Sequence, residues 1–272
     1  VFRFFSDWET ADVMRFVLLN LAAISLVLFA PFISAGKMNA FWQFVITLFI
    51  RFFQAFFLFG ILYLGIVALM ASIDFLFEVT IPGQYYFDVW QVITGILVST
   101  FLLSGVPSNF QALDRMTSYP KFLRVLTEYF LVPLVFLYML VLYAYFGKIM
   151  VTLDWPSGGV AWWIIGFSFV GVVTYFLAHS IKEAFMKHVE FFRKWFFVGL
   201  IPLLAVLFMA VYIRIAEYGI TEPRYFVFMY GVWLMLLSAY FIYSKSKSLK
   251  FIPIMLFVFL TTSSYGPQSA FD

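Results

Sequence analysis

Residues 52–73 run without a single Asp, Glu, Lys, Arg or His, and seven other stretches share that property: 17–33, 89–103, 129–147, 160–178, 196–213, 225–243 and 251–265. A helix needs about 20 apolar residues to cross the hydrocarbon core of a bilayer, so most of these stretches are long enough to span. The third and the eighth are short, reaching only about 22 Å at 1.5 Å per residue. No alternation of polar and apolar positions accompanies them, which rules out a membrane β-barrel. The expected fold is therefore all-α, a bundle of about eight membrane segments with amphipathic helices at the interface. It is read as a single transmembrane domain over residues 1–272.

Composition agrees. The 272 residues are 64% hydrophobic and 11% charged, against about 45–50% and 25% in soluble domains. Such a chain is neither a soluble enzyme nor a nucleic-acid binder. Cysteine is absent and there are two histidines, so no disulfide framework, thiolate nucleophile or histidine-rich metal site is expected. No HExxH motif, catalytic carboxylate pair or Ser/His/Asp set stands at a recognisable spacing, and Pro156-Ser157-Gly158-Gly159 lacks the lysine of a phosphate loop. No catalytic residue, cofactor or metal is assigned. Ionisable groups at membrane depth mark proton relays and ion paths, and the eight segments carry none.

Orientation follows from the basic residues. The connections after the first, third, fifth and seventh segments hold twelve Lys and Arg residues, and the opposite side holds five. By the positive-inside rule the first set is cytoplasmic and the N-terminus lies outside. The chain begins at Val1 with no signal peptide in view and is read as part of a longer protein.

Some local expectations are specific. Residues 39–77 would form one helix of roughly 58 Å, nearly twice the bilayer core, so a bend is expected near Arg51, with its guanidinium reaching the headgroups. Residues 179–195 place Ile181, Phe185, Val189, Phe192 and Trp195 on one helical face and charges on the other, as in a helix lying in the inner leaflet. His188, beside Lys187, is expected to be solvated rather than to hold a metal. Residues 119–128, with Lys121, Arg124 and Glu128, form a second cytoplasmic connection running straight into the fourth segment. Pro31, Pro133, Pro202 and Pro253 lie in or beside spans and kink them or hinge a gate. Trp155, Trp162 and Trp163 suit an aromatic belt.

The densest polar cluster joins the sixth and seventh segments. Arg214 and Glu217 stand i,i+3 on a last helical turn and can pair; Tyr218 precedes Gly219, which suits a left-handed cap. Thr221 suits an N-cap, with Glu222 and Pro223 in the next helix's first turn and Arg224 following. Two readings stay open here, an ion-paired hairpin fixing two helices and a site for a charged headgroup, substrate or partner.

The run Tyr218-Gly219-Ile220-Thr221-Glu222-Pro223-Arg224-Tyr225 resembles the signature of an uncharacterised family of bacterial polytopic membrane proteins, domain of unknown function 4153. Residues 133–138, the Leu142-Tyr143-Ala144-Tyr145 run, Trp155-Pro156 and Gly266-Pro267 are similar to the same family, so the resemblance covers roughly residues 106–272. It implies a bacterial inner-membrane location and more chain beyond Asp272, and supplies no catalytic or ligand residue. Three functions remain in view. The first is a non-enzymatic module that anchors or assembles a complex, with membrane lipid around it and protein partners at its outer face. The second is a transporter or flippase-like protein for a lipid or small solute, with a cavity lined by Ser99, Thr100, Ser168 and Thr174. The third is an enzyme acting on a lipid-linked substrate through Glu217 or Glu222.

Overall fold

The computed structural model describes residues 10–33, 38–77, 80–116, 119–152, 160–178, 187–219, 221–244 and 246–264. Among them every regular element is a helix, and seven helices are long and apolar enough to cross a membrane. They are α1 (Thr10–Phe29), α2 (Met38–Phe77), α3 (Gly83–Ser104), α5 (Lys121–Thr152), α6 (Val160–Ala178), α7 (Lys187–Tyr218) and α8 (Glu222–Tyr243). The short α4 (Phe110–Arg115) follows α3, and α9 (Phe251–Ser264) comes last. The protein is a multi-pass helical membrane protein. The third span is longer than its apolar run suggested: the helix begins at Gly83 and runs through a π-helical turn over Ile93–Val98 to Ser104. The last, at 14 residues, is as short as expected.

The chain forms two compact units, Ser34–Met116 and the remainder. In the first, α2 runs unbroken from Met38 to Phe77, with no interruption at Arg51 where a bend was expected. Its opening turns have protein neighbours. The Asn39 amide donates to the carbonyls of Asp114 (2.8 Å) and Met116 (2.9 Å), and the Gln43 amide to Met116 (3.3 Å). These carbonyls at the end of α4 have no partner within that helix, while Asn109 caps its other end by accepting from the Ala112 N–H at 3.0 Å. Six residues cannot sustain a helix alone; capping at both ends and packing on α2, including a Phe44–Phe110 ring contact at 6.0 Å, hold this one. Asn39→Ala is expected to cost about 1–3 kcal/mol locally, seen as faster amide exchange across residues 110–116 with the spans unaffected.

In the second unit α7 is the central helix, packed by α5, α6 and α8, with Leu200, Leu203, Leu204 and Leu207 fully buried. Without a hydrophobic driving force between helices in lipid, close approach is what holds a bundle, and glycines supply it here. A Cβ on Gly171 of α6 would lie 2.3 Å from Cζ of Phe196, and one on Gly231 of α8 would lie 3.1 Å from the Phe208 ring. Aromatic rings from α7 therefore seat in notches on both flanking helices. Pro202 lies inside α7; near it the Tyr143 hydroxyl of α5 donates to the Gly199 carbonyl at 2.7 Å. The first and last helices, α1 and α9, pack along each other. Phe29 meets Phe257 at 5.7 Å, and the Lys250 ammonium donates to the Phe32 carbonyl at 3.0 Å. Partial burial pulls the Lys250 pKa below its ordinary value.

The in-plane helix expected over 179–195 is met only from Lys187 onward, where the residues already belong to α7; residues 179–186 lie outside the described residues. Val189 and Phe192 are buried as their spacing implied, whereas Trp195 is 46% exposed. Trp162 and Trp163 are exposed in the first turn of α6.

Candidate functional site

The head of α5 contains a π-helical turn over Leu126–Leu131. In that register the Val132 N–H bonds to the Thr127 carbonyl, one residue further back than an α-helix allows. The next donor in the same register would be residue 133, a proline without an N–H. The Glu128 carbonyl is therefore left without a donor from the helix, and His188 Nε2, in the first turn of α7, approaches it at 2.8 Å. A carbonyl only accepts, so Nε2 carries the proton and Nδ1 faces away from this bond. His188 is half-buried and hydrogen-bonded, not simply solvated as expected.

Around this bond the polar groups continue. The Glu128 side chain is 5% exposed and meets Nε of Arg124 at 3.4 Å. On the fully buried Thr127, the hydroxyl stands 3.4 Å from the Tyr119 phenol, which donates to the Leu177 carbonyl at 3.3 Å. Leu177 is in the last turn of α6, where carbonyls lack helical partners. The Tyr119 proton being committed there, Thr127 is the donor between the two hydroxyls. Burial pushes the Tyr119 phenol above its ordinary pKa, the Thr127 bond opposes this and the nearby Glu128 charge adds to it. One cluster thus joins the heads of α5 and α7 to the tail of α6, around a carboxylate buried at the edge of a span. Of this cluster, Arg124 and Glu128 were marked in the sequence as members of a connection opening at residue 119, and His188 only as a solvated residue. The signals for the rest were the Glu128–Pro133 spacing and the i,i+4 placement of Arg124 and Glu128.

At the α7–α8 hairpin the turn chemistry is as read. Gly219 has a positive φ of 75°, its N–H bonds the Ile215 carbonyl at 2.9 Å, and Glu222 and Pro223 open α8. Two details differ. Thr221 occupies the N-cap position with extended backbone, but its hydroxyl makes no cap bond. Arg224 instead reaches back to donate to the Gly219 carbonyl at 2.5 Å, closing the end of α7 that a cation favours. Arg214 is half-buried and engaged; the side chains of Glu217 and Tyr218, and Ile220, lie outside the described residues, as do Trp155-Pro156 and Gly266-Pro267.

Three of the four hydroxyls proposed to line a cavity, those of Ser99, Ser168 and Thr174, are occupied by carbonyls of their own helices. Ser168 donates to the Ile165 carbonyl (2.9 Å) and faces the Tyr230 hydroxyl (3.1 Å), and Thr174 donates to the Val170 carbonyl (2.7 Å); both residues are fully buried. Ser99 donates to the Thr94 carbonyl of the π-helical turn at 3.2 Å.

Domain of unknown function DUF4153 matches residues 4–268, nearly the whole chain. The chain belongs to the DUF4153 family. It is 25% identical over 237 residues to the uncharacterized protein PM1469 of Pasteurella multocida (strain Pm70), an alignment covering 85% of this chain and 39% of that protein. The chain thus spans well under half the length of this relative. No solved structure matches it. The DUF4153 match takes in both compact units, including the first hundred residues, where only the hydrophobic pattern had suggested the family.

Proposed function

We propose that this DUF4153 chain is a non-enzymatic module of the bacterial inner membrane that anchors and assembles a larger complex. The observation that carries this is what its polar side chains near helix ends do. His188 binds the Glu128 carbonyl, Tyr119 the Leu177 carbonyl, Lys250 the Phe32 carbonyl and Arg224 the Gly219 carbonyl. Each closes a helix end or joins two helices; each is a fixing contact rather than a group turned toward a shared reaction space. The twelve-to-five bias of basic residues supports placing the α7–α8 hairpin on the outer face, where Arg214, Glu217, Glu222 and Arg224 offer a charged surface to a partner. A transporter or flippase-like role is the second reading, favoured by the Trp233 indole N–H and the Ser238 hydroxyl, both buried in α8 without an acceptor.

Reconstitution separates the two. Purified protein in liposomes is expected to leave dithionite quenching of a fluorescent phospholipid at the protein-free plateau, and native gels of gently solubilised membranes to show it migrating with other subunits. Protein-dependent lipid movement that Trp233→Phe or Ser238→Ala alters would instead establish transport.

A further inference from the structure

The charged residues that bracket the apolar run of α2 locate it in the bilayer. Between Arg51 and Asp74 no Asp, Glu, Lys, Arg or His intervenes, a distance of about 35 Å at 1.5 Å per residue, close to the ~30 Å hydrocarbon core. The return span α3, of 22 residues, ends at Ser104, next to Gly105. Arg51 and Gly105 meet: a Cβ at Gly105 would stand 2.8 Å from both Cδ and Nε of Arg51. Both therefore lie at one edge of the slab, at the depth of the lipid phosphates.

The seat is built from both helices. Gly105 leaves room for the Arg51 stem, and the guanidinium carbon lies 5.2 Å from the centroid of Phe101. Phe101 is in turn held edge-on by Phe59 at 5.7 Å, two turns along α2 from Arg51, with Ala55, 1% exposed, between them. Among the described residues no hydrogen bond or ion pair joins Arg51, unlike Arg124 and Arg224. A half-buried guanidinium fixed over a ring thus presents five N–H donors to the interface with no protein acceptor. Its planar fork matches two oxygens of a phosphate, which a point-charge ammonium does not. The phosphate of a zwitterionic lipid is balanced by its own amine, whereas that of phosphatidylglycerol is not.

We propose that Arg51, laid across Gly105 and over Phe101, binds the phosphate of an anionic phospholipid at the membrane interface. The proposal is independent of any role in assembly or transport.

Native mass spectrometry of the protein exchanged with phosphatidylglycerol and phosphatidylethanolamine of matched chains tests it. The wild type is expected to retain the anionic lipid preferentially, and Arg51→Gln to reduce that preference about fivefold, the share of one cation at an anionic surface. Gly105→Leu should do the same while keeping the charge, since residue 105 has φ −90° and ψ −2°, a backbone open to any side chain. Arg51→Lys should fall between. Equal retention by wild type and Arg51→Gln overturns the proposal. So does a loss in Arg51→Gln with none in Gly105→Leu, because Arg51 would then be a plain surface charge. Displacement of the lipid by free inorganic phosphate overturns the assignment to a lipid. Circular dichroism of each variant checks the fold, and Gly105→Leu decides the matter if Arg51→Gln does not fold.

Discussion

Gly171→Ala is expected to destabilise the larger unit by about 1–3 kcal/mol, and Gly171→Leu to stop the bundle from assembling. The methyl group would sit 2.3 and 2.4 Å from two atoms of the Phe196 ring. That ring has no room to retreat: Phe196 is 1% exposed and meets Phe192 at 5.0 Å and Phe197 at 5.1 Å. Phe197 is in turn stacked on Phe241 of α8 at 4.7 Å, so displacement on one side of α7 is passed to the other. The measurement is the thermal midpoint in detergent of Gly171→Ala, Phe196→Leu and the double variant. Phe196→Leu removes the atoms that clash, so the double variant should be more stable than the two single losses predict. Simple additivity, or a Gly171→Ala protein as stable as wild type, would show that α6 and α7 do not meet through this notch.

A comparable effect is expected at the head of α5. His188→Ala removes the donor to a carbonyl on a residue only 4% exposed, and a buried acceptor without a partner costs about 1–3 kcal/mol. The cause of that dependence is Pro133, so the cost should change with it. In a Pro133→Ala background the new N–H can serve the Glu128 carbonyl in the π register, and His188→Ala should then cost much less. Four thermal midpoints complete the cycle. An equal penalty for His188→Ala in both backgrounds would disprove the account of the freed carbonyl.

The sequence made the spans legible because long runs without ionisable groups admit few alternatives. Element ends were harder. α3 was placed from residue 89 because Gln84 and Asp88 interrupt the apolar run, yet the helix starts at Gly83. A bend at Arg51 was expected because one straight helix over residues 39–77 is nearly twice as long as the bilayer core, leaving its opening turns to lie in the interface. Their neighbours are carbonyls more than seventy residues away, reached by Asn39 and Gln43. Glycine notches are equally hidden: Gly166 and Gly171 both lie on α6, but a Cβ on Gly166 would meet nothing within 4 Å. At the α7–α8 hairpin local turn chemistry sufficed for Gly219, Glu222 and Pro223. It did not reveal that Arg224 would bond to the Gly219 carbonyl. The Glu128 cluster depends on His188, sixty positions away, a pairing no spacing rule supplies.

The pairing of α1 with α9 constrains the order in which the protein is made. The contact between Lys250 and Phe32 joins positions 218 residues apart, so α1 enters the bilayer long before its partner leaves the ribosome. Contacts of such separation form late, and until then one face of α1 is covered by lipid alone. The two helices therefore act as a clasp that shuts only once α9 has been made. A ribosome stalled before residue 251 would leave that clasp open.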